Sequence, residues 1–357
     1  MFFKASIQAV AITTLLTSVQ GAPITGADIA NSTYGPIPGE DSSFSNNKSK
    51  AAPFPANYKA AVLPTTNGTI GADDILFQNL LSAEWVIYSF YQAAVEAFNE
   101  TSFTSAGFLN TTYERITSIR DNEAGHLRIF QDSISSSSVK PGPCTYTFPF
   151  EDPTTFLALQ TLIEISSMAF LTGLVQQANL NFSKGALLAI AETESRHNTW
   201  SLIDVWNTDP FGGPSDTVFP YANEVLDVTH QFIVPGSCPA ENPQYPFPSQ
   251  GLPALSTAKT TTSVTPGSQI TWNFTNPDNQ PSFETGKDYW TVYFHGVLNV
   301  SVPFDTKTYE STIPDFEEKG VILAVIADVE GAPYLESVVA GPSILLEQPA
   351  NLGLLFS

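Results

Sequence analysis

Four stretches of the chain repeat apolar residues every three to four positions, the period of an α-helix buried along one face. In Leu76–Phe98 the stripe is Phe77, Leu80, Leu81, Glu84, Ile87, Tyr88, Tyr91, Val95 and Phe98. In Tyr113–Ile134 it is Ile116, Ile119, Glu123, His126, Leu127 and Phe130. In Pro153–Leu180 it is Phe156, Gln160, Ile163, Glu164, Met168, Leu171 and Val175, and in Lys184–Trp206 it is Leu187, Ile190, Ala191, Glu194 and His197. Each pattern predicts a long helix. The short link at Asn179–Ser183 predicts antiparallel neighbours, and a shorter fifth helix is predicted over Tyr221–Gln231. Beyond residue 268 the period changes to two. Ile270, Trp272 and Phe274 alternate with polar residues. Tyr289–Val302 reads as one long strand or two, and Val321–Ala327 as a central strand. Glu336–Ala340 and Ser343–Glu347 read as strands flanking a Gly-Pro turn. The expected fold class is α+β and multidomain: an antiparallel four-helix bundle with a short fifth helix, followed by a small antiparallel β-sandwich.

The helical stripes are apolar except where they carry acids. Their order is Glu84, then Glu123-Ala-Gly-His126, then Glu164, then Glu194-Ser-Arg-His197. A carboxylate in an apolar interior is destabilising by several kcal/mol unless something neutralises it, so the acids demand an explanation. Residues at i and i+3 leave a helix in the same direction. Four such helices can therefore aim four carboxylates and two imidazoles at one point. That is the ligand set of carboxylate sites holding two iron or two manganese ions, with zinc an alternative the donor types also allow. The other reading is of single acids and histidines satisfied by hydrogen bonds in a core. The chain has four histidines. Of the remaining two, His230 fits no ligand pattern and reads as structural, and His295 has no Cys or second His nearby, which speaks against copper. Tyr88 and Trp200, one turn from Glu84 and His197, are placed either to support the ligands or to pack the core. Glu192, Arg120, Arg128 and Arg196 flank the ligand positions as supports or as surface charge.

Composition narrows the setting. The net charge of −21 argues against a nucleic-acid partner, which requires a basic surface. Residues 1–21 read as a secretory signal, with Lys4, an apolar run over Ala5–Leu16 and a small-residue cleavage site at Val19-Gln20-Gly21. That run is too short to span a bilayer, and no later stretch is expected to span one. Residues 22–70 read as a flexible, glycosylated leader, 71–238 as the helical domain, 239–268 as a Pro/Ser/Thr-rich linker whose proline part can pack on the bundle, and 269–350 as the sandwich-like domain. Glycosylation sequons begin at Asn31, Asn47, Asn67, Asn99, Asn110, Asn181, Asn273 and Asn299. The two cysteines, Cys144 and Cys238, are expected to pair in an oxidising compartment. Such a bridge closes a loop of about a hundred residues, for which chain entropy sets an upper figure of about 4–5 kcal/mol.

The Glu, Glu-x-x-His, Glu, Glu-x-x-His order over Asp74–Asn207 resembles the ferritin-like superfamily. More narrowly, the signal peptide, Asn-Glu-Ala-Gly-His at 122–126, Pro-Cys-Thr-Tyr-Thr-Phe-Pro at 143–149 and Gly-Ser-Cys-Pro at 236–239 resemble secreted fungal ferritin-like proteins of the desiccation-related, stress-response and late-sexual-development group. The resemblance implies terminal ligand roles for Glu84 and Glu164, bridging roles for Glu123 and Glu194, and one metal on each of His126 and His197. The leader, the cysteine pair and the β region depart from iron-storage ferritins. The function expected is oxygen, peroxide or metal chemistry at a pair of iron or manganese ions, outside the cell, during stress or development. The alternative is a non-enzymatic cell-surface or matrix protein that uses the bundle as a scaffold and makes cell-wall or matrix contacts.

Overall fold

The computed structural model describes Phe54, Tyr58 and residues 60–216, 221–316, 319–346 and 352–356. The predicted signal, Asn31 and Asn47 lie outside the described residues.

The long helices form where the apolar stripes fall. They are α1 (Asp74–Ala97), α3 (Thr112–Ser133), α4 (Pro153–Leu174) and α5 (Asn181–Trp200), with a short α2 (Glu100–Ser105) between the first two and α6 (Ala222–His230) after the last. Their starts are chemically marked. The Asp152 side chain accepts from Thr155 N–H and Thr155 returns the bond, with Pro153 in the first turn of α4. Asn99 and Ser102 make the same reciprocal cap on α2. The helical run expected to reach Trp206 does so, but its last turn, Ser201–Val205, widens to π geometry. There Ser201 Oγ lies 2.6 Å from Thr161 Oγ1, which also accepts from Trp206 Nε1 at 2.8 Å. α1 packs on α3 and α4 on α5; α6 packs on both α4 and α1, and α3 meets α5.

Among the described residues, seven strands form two antiparallel sheets: β1 (Leu255–Thr257), β2 (Gln269–Phe274), β3 (Trp290–His295), β4 (Leu298–Pro303), β5 (Glu310–Thr312), β6 (Val321–Ala327) and β7 (Val338–Leu346). One sheet has the order β1-β2-β5 and the other β4-β3-β6-β7. Tyr289–Val302 resolves into two strands joined at Gly296-Val297, with His295 opposite Leu298. Gly296 has φ +55°, and a Cβ there would stand 2.5 Å from Pro214 Cβ. The expected turn at Gly341-Pro342 is not a turn. β7 runs through it as a bulge: Ala340 is opposite Ile326 and Ser343 opposite Ala324, so Gly341 and Pro342 stand against the single Val325 of β6. Gly341 at φ +115° approaches Ala324 O closely, and its N–H donates to Pro253 O.

The alternating faces of β6 explain why it reads as a continuous apolar run. Ile322, Ala324 and Ile326 join a core with Ile270, Trp272 and Tyr293, between the two sheets. Leu323, Val325 and Ala327 join the core that also holds Phe77, Phe156 and Leu226 from the helices. The four-stranded sheet is thus covered on both sides, and the helical and β parts share one apolar interior. The segments read as leader and linker belong to it in part. Phe54 is buried against Trp85 and Tyr88, and Val62 bridges Lys140. The carbonyl of Phe247 accepts from Asn79, Tyr245 bonds Thr229, and Leu255–Thr257 is the first strand. Composition flags these segments as irregular, but burial of their few apolar residues ties them down.

One expectation about membranes changes. α4 is, by length and composition alone, apolar enough to cross a bilayer, but 67% of its most apolar window is buried in the fold. The same helix turns Gln160, Thr161, Glu164 and Ser167 fully inward.

Candidate metal centre

The acids and imidazoles singled out along the four long helices converge. Glu84 comes from α1, Glu123 and His126 from α3, Glu164 from α4, and Glu194 and His197 from α5. Glu123, Glu164 and Glu194 are 0% exposed, Glu84 2%, His126 4% and His197 5%. His126 Nδ1 lies 3.0 Å from Glu123, 3.2 Å from Glu84 and 3.2 Å from Glu194. His197 Nδ1 lies 3.3 Å from Glu123, 3.3 Å from Glu164 and 3.6 Å from Glu194. These atoms sort into two overlapping sets, Glu84–Glu123–His126–Glu194 and Glu123–Glu164–Glu194–His197. In each, one ligand atom per residue lies within 4.8 Å of the others. Glu123 and Glu194 belong to both.

Hydrogen bonds within the protein do not account for this cluster. Among the described residues, Glu123 Oε1, Glu164 Oε2, both Glu194 oxygens and His197 Nδ1 are buried without a hydrogen-bond partner, although each oxygen stands at ion-pair distance from an imidazole. Orphaned buried acceptors of this kind are rare and costly. Hard oxygen donors with one imidazole per set suit a divalent first-row metal. The residues present therefore fit a pair of metal ions.

Burial and neighbouring charges act on every ionisable group of the cluster. Burial, then the facing Glu123 charge, raises Glu84 well above the carboxylate range. Burial and Glu194 do the same to Glu164. In Glu123, burial and the Glu194 charge push upward, but His126 and His197 outweigh them and its pKa is lowered. Glu194, equally opposed by burial, is carried well below by its contacts with Glu164, His126 and His197. Burial disfavours charge on both imidazoles. The Glu123 charge nevertheless raises His126 well above its ordinary value, and the Glu164 charge does so for His197. The carboxylates thus favour protons on the imidazoles while Glu84 and Glu164 resist ionisation, so the buried cluster moves toward charge balance by holding protons. Two divalent ions on four carboxylates and two neutral imidazoles reach the same balance.

The residues supporting the ligands are not those the sequence suggests first. The Tyr88 hydroxyl accepts from Phe54 N–H and belongs to the aromatic packing there. Among the described residues, Trp200 Nε1 meets no partner. Arg120 bonds Gln92 and Asp121, Arg128 lies 3.9 Å over the Phe54 ring, and Arg196 pairs with exposed Glu192. Tyr91 is the tyrosine that matters: its hydroxyl donates to Glu164 Oε1. Burial, then the Glu164 charge, raises that phenol well above its ordinary range. Its place on the α1 stripe, two turns past Glu84, was the available signal. Gln160, fully buried one turn before Glu164, also stands near the Tyr91 hydroxyl, without the geometry of a hydrogen bond. Asn122, next to Glu123 in sequence, reaches across to His197 Nε2 at 3.0 Å. His230 is exposed at the end of α6, and His295 is buried in β3 with Nδ1 2.8 Å from Val321 O.

Cys144 and Cys238 form a disulfide across a sequence separation of 94. Among the described sequons, Asn67, Asn99, Asn110, Asn181, Asn273 and Asn299 are all exposed.

Residues 72–202 match the model of the ferritin-like domain family. That span runs from just before α1 to the π turn and includes all six converging residues. No curated protein matches the chain.

Proposed function

We propose that the ferritin-like domain of this chain is an antiparallel four-helix bundle holding two ions of iron or manganese, within a secreted glycoprotein whose β part is a sandwich packed on the bundle. Glu84 and His126 serve one ion, Glu164 and His197 the other, and Glu123 and Glu194 are shared. The observation that carries this reading is the overlap of the two ligand sets in those two carboxylates. A bound pair of this kind supplies redox chemistry with dioxygen or peroxide. The protein's own part is to hold the carboxylates in place before the ions arrive, to keep bulk water out of an apolar surround, and to surrender the protons of Glu84 and Glu164. The exposed sequons support an extracellular setting, and the fused β part speaks against a closed storage cage. The exposed sequons on both the helical and β parts also favour a second reading, a cell-surface or matrix scaffold with no turnover.

Elemental analysis of natively purified protein tests the proposal, with peroxide- and oxygen-consumption rates measured beside it. About two ions per chain and a rate lost in a folded Glu123→Ala, Glu194→Ala double variant are expected. Metal content far below one ion per chain refutes the metal reading. Full loading without any rate leaves the scaffold or a metal-sequestering role in its place.

A further inference from the structure

The two ligand sets are chemically alike but differently supported. Glu164 Oε1 is held by the Tyr91 hydroxyl, which leaves Oε2 as the oxygen that faces His197. The His197 ring is held from behind. Its Nδ1 is turned to the carboxylates, so the opposite nitrogen, Nε2, carries the hydrogen, and the Asn122 amide lies 3.0 Å from it. A half-turn of that amide presents Oδ1 as the acceptor. Nothing comparable exists on the other side. Among the described residues, neither Glu84 nor His126 has a hydrogen-bond partner outside the ligand set.

Building on the two-metal reading, we infer that the two positions are not equivalent: Tyr91 and Asn122 are positioning residues that make the Glu164–His197 position the tight one, filled first, and leave the Glu84–His126 position weaker and exchangeable. The physical reason is reorganisation. A carboxylate with one oxygen tied and an imidazole with its tautomer chosen have little freedom left to lose when the ion arrives, whereas Glu84 and His126 must be ordered at that moment. Loss of such a supporting hydrogen bond typically weakens metal affinity about 10–100-fold.

The test is stepwise titration of the metal-free full chain with Mn(II), followed by native mass spectrometry for occupancy and by electron paramagnetic resonance for isolated against exchange-coupled ions. The wild-type chain is expected to take one ion tightly, with an isolated-ion spectrum, and then a second with a coupled spectrum. Tyr91→Phe should weaken the tight step about 10-fold or more and move the weak step by less than about 3-fold, so that the two merge. Asn122→Leu, at a half-buried position, should do the same and serves if Tyr91→Phe fails to fold. Glu84→Gln should leave the tight step in place and remove the second. A purely structural role for Tyr91 and Asn122 would lower the melting temperature without acting on one step selectively. The inference is overturned if the two wild-type steps are equal, if Tyr91→Phe and Asn122→Leu act on the weak step or on neither, or if Glu84→Gln abolishes the tight ion. Binding of no Mn(II) at all by the wild-type chain would overturn the metal reading itself, an outcome distinct from these.

Discussion

Loading the centre with metal should expel protons, and the number can be worked from the site. Without metal, burial holds Glu84 and Glu164 toward their protonated forms, the carboxylates around them hold His126 and His197 toward theirs, and Glu123 and Glu194 are held toward ionisation. With two divalent ions bound, the carboxylates must be ionised and the imidazoles neutral, because a ligand atom cannot keep its proton. The largest difference is about four protons for two ions. Each displaced proton makes the binding free energy depend on pH by about 1.4 kcal/mol per unit, so complete loading should strengthen by about 5–6 kcal/mol per pH unit while all four groups remain protonated. Affinity thus rises with pH and falls steeply in acid. Calorimetric titration with Mn(II) near neutral pH, repeated in buffers of different ionisation enthalpy, reads the proton count directly. A release below about one proton for two ions would refute the reasoning, because it would mean that the cluster is ionised, and its charge balanced, in some other way.

Three further outcomes are expected. In the metal-free protein Glu84 and Glu164 have folded pKa values above the unfolded 4.5, and His126 and His197 above 6.5; each group therefore binds its proton better folded than unfolded, and stability should fall as pH rises through and beyond those values, in a denaturant titration compared at mildly acidic and mildly alkaline pH. Saturating metal should flatten that fall, and a metal-free protein that gains stability over the same range would contradict it. Replacing both Cys144 and Cys238 by Ser should destabilise by about 2–5 kcal/mol, measured by chemical denaturation, because the 94-residue separation leaves a long loop open in the unfolded chain. Gly296→Ala should be destabilising by about 1–3 kcal/mol, since φ +55° disfavours a side chain and Pro214 occupies the space its Cβ needs; a melting temperature equal to wild type would remove that argument.

Much of the helical part is legible from the chain alone, because one physical demand repeats four times. An acid on an apolar stripe is conspicuous, and its spacing to the next His states which face of the helix it shares. Glu84, Glu123, His126, Glu164, Glu194 and His197 can be named from that pattern. Their division into two overlapping sets cannot, since it depends on how close α3 and α5 bring Glu123 and Glu194 to both imidazoles. The supporting residues are harder still. Tyr88 and Tyr91 lie on the same stripe, and no one-dimensional rule tells which hydroxyl meets Glu164 and which meets the Phe54 backbone.

What the amino-acid order determines here is local: helix and strand period, capping at Asp152, the cysteine pair available for bonding, and the acids that an apolar face will not tolerate alone. What only the tertiary structure decides is which surfaces become interior. Val321–Ala327 reads the same whether one face or two are covered, and only the packing of the helices on one side and the second sheet on the other makes the helical and β parts a single core. Phe54 and Leu255 sit in stretches whose composition reads as irregular, yet their side chains find apolar partners far away in sequence. Burial is a property of neighbours, and neighbours distant in sequence are not written in any local pattern.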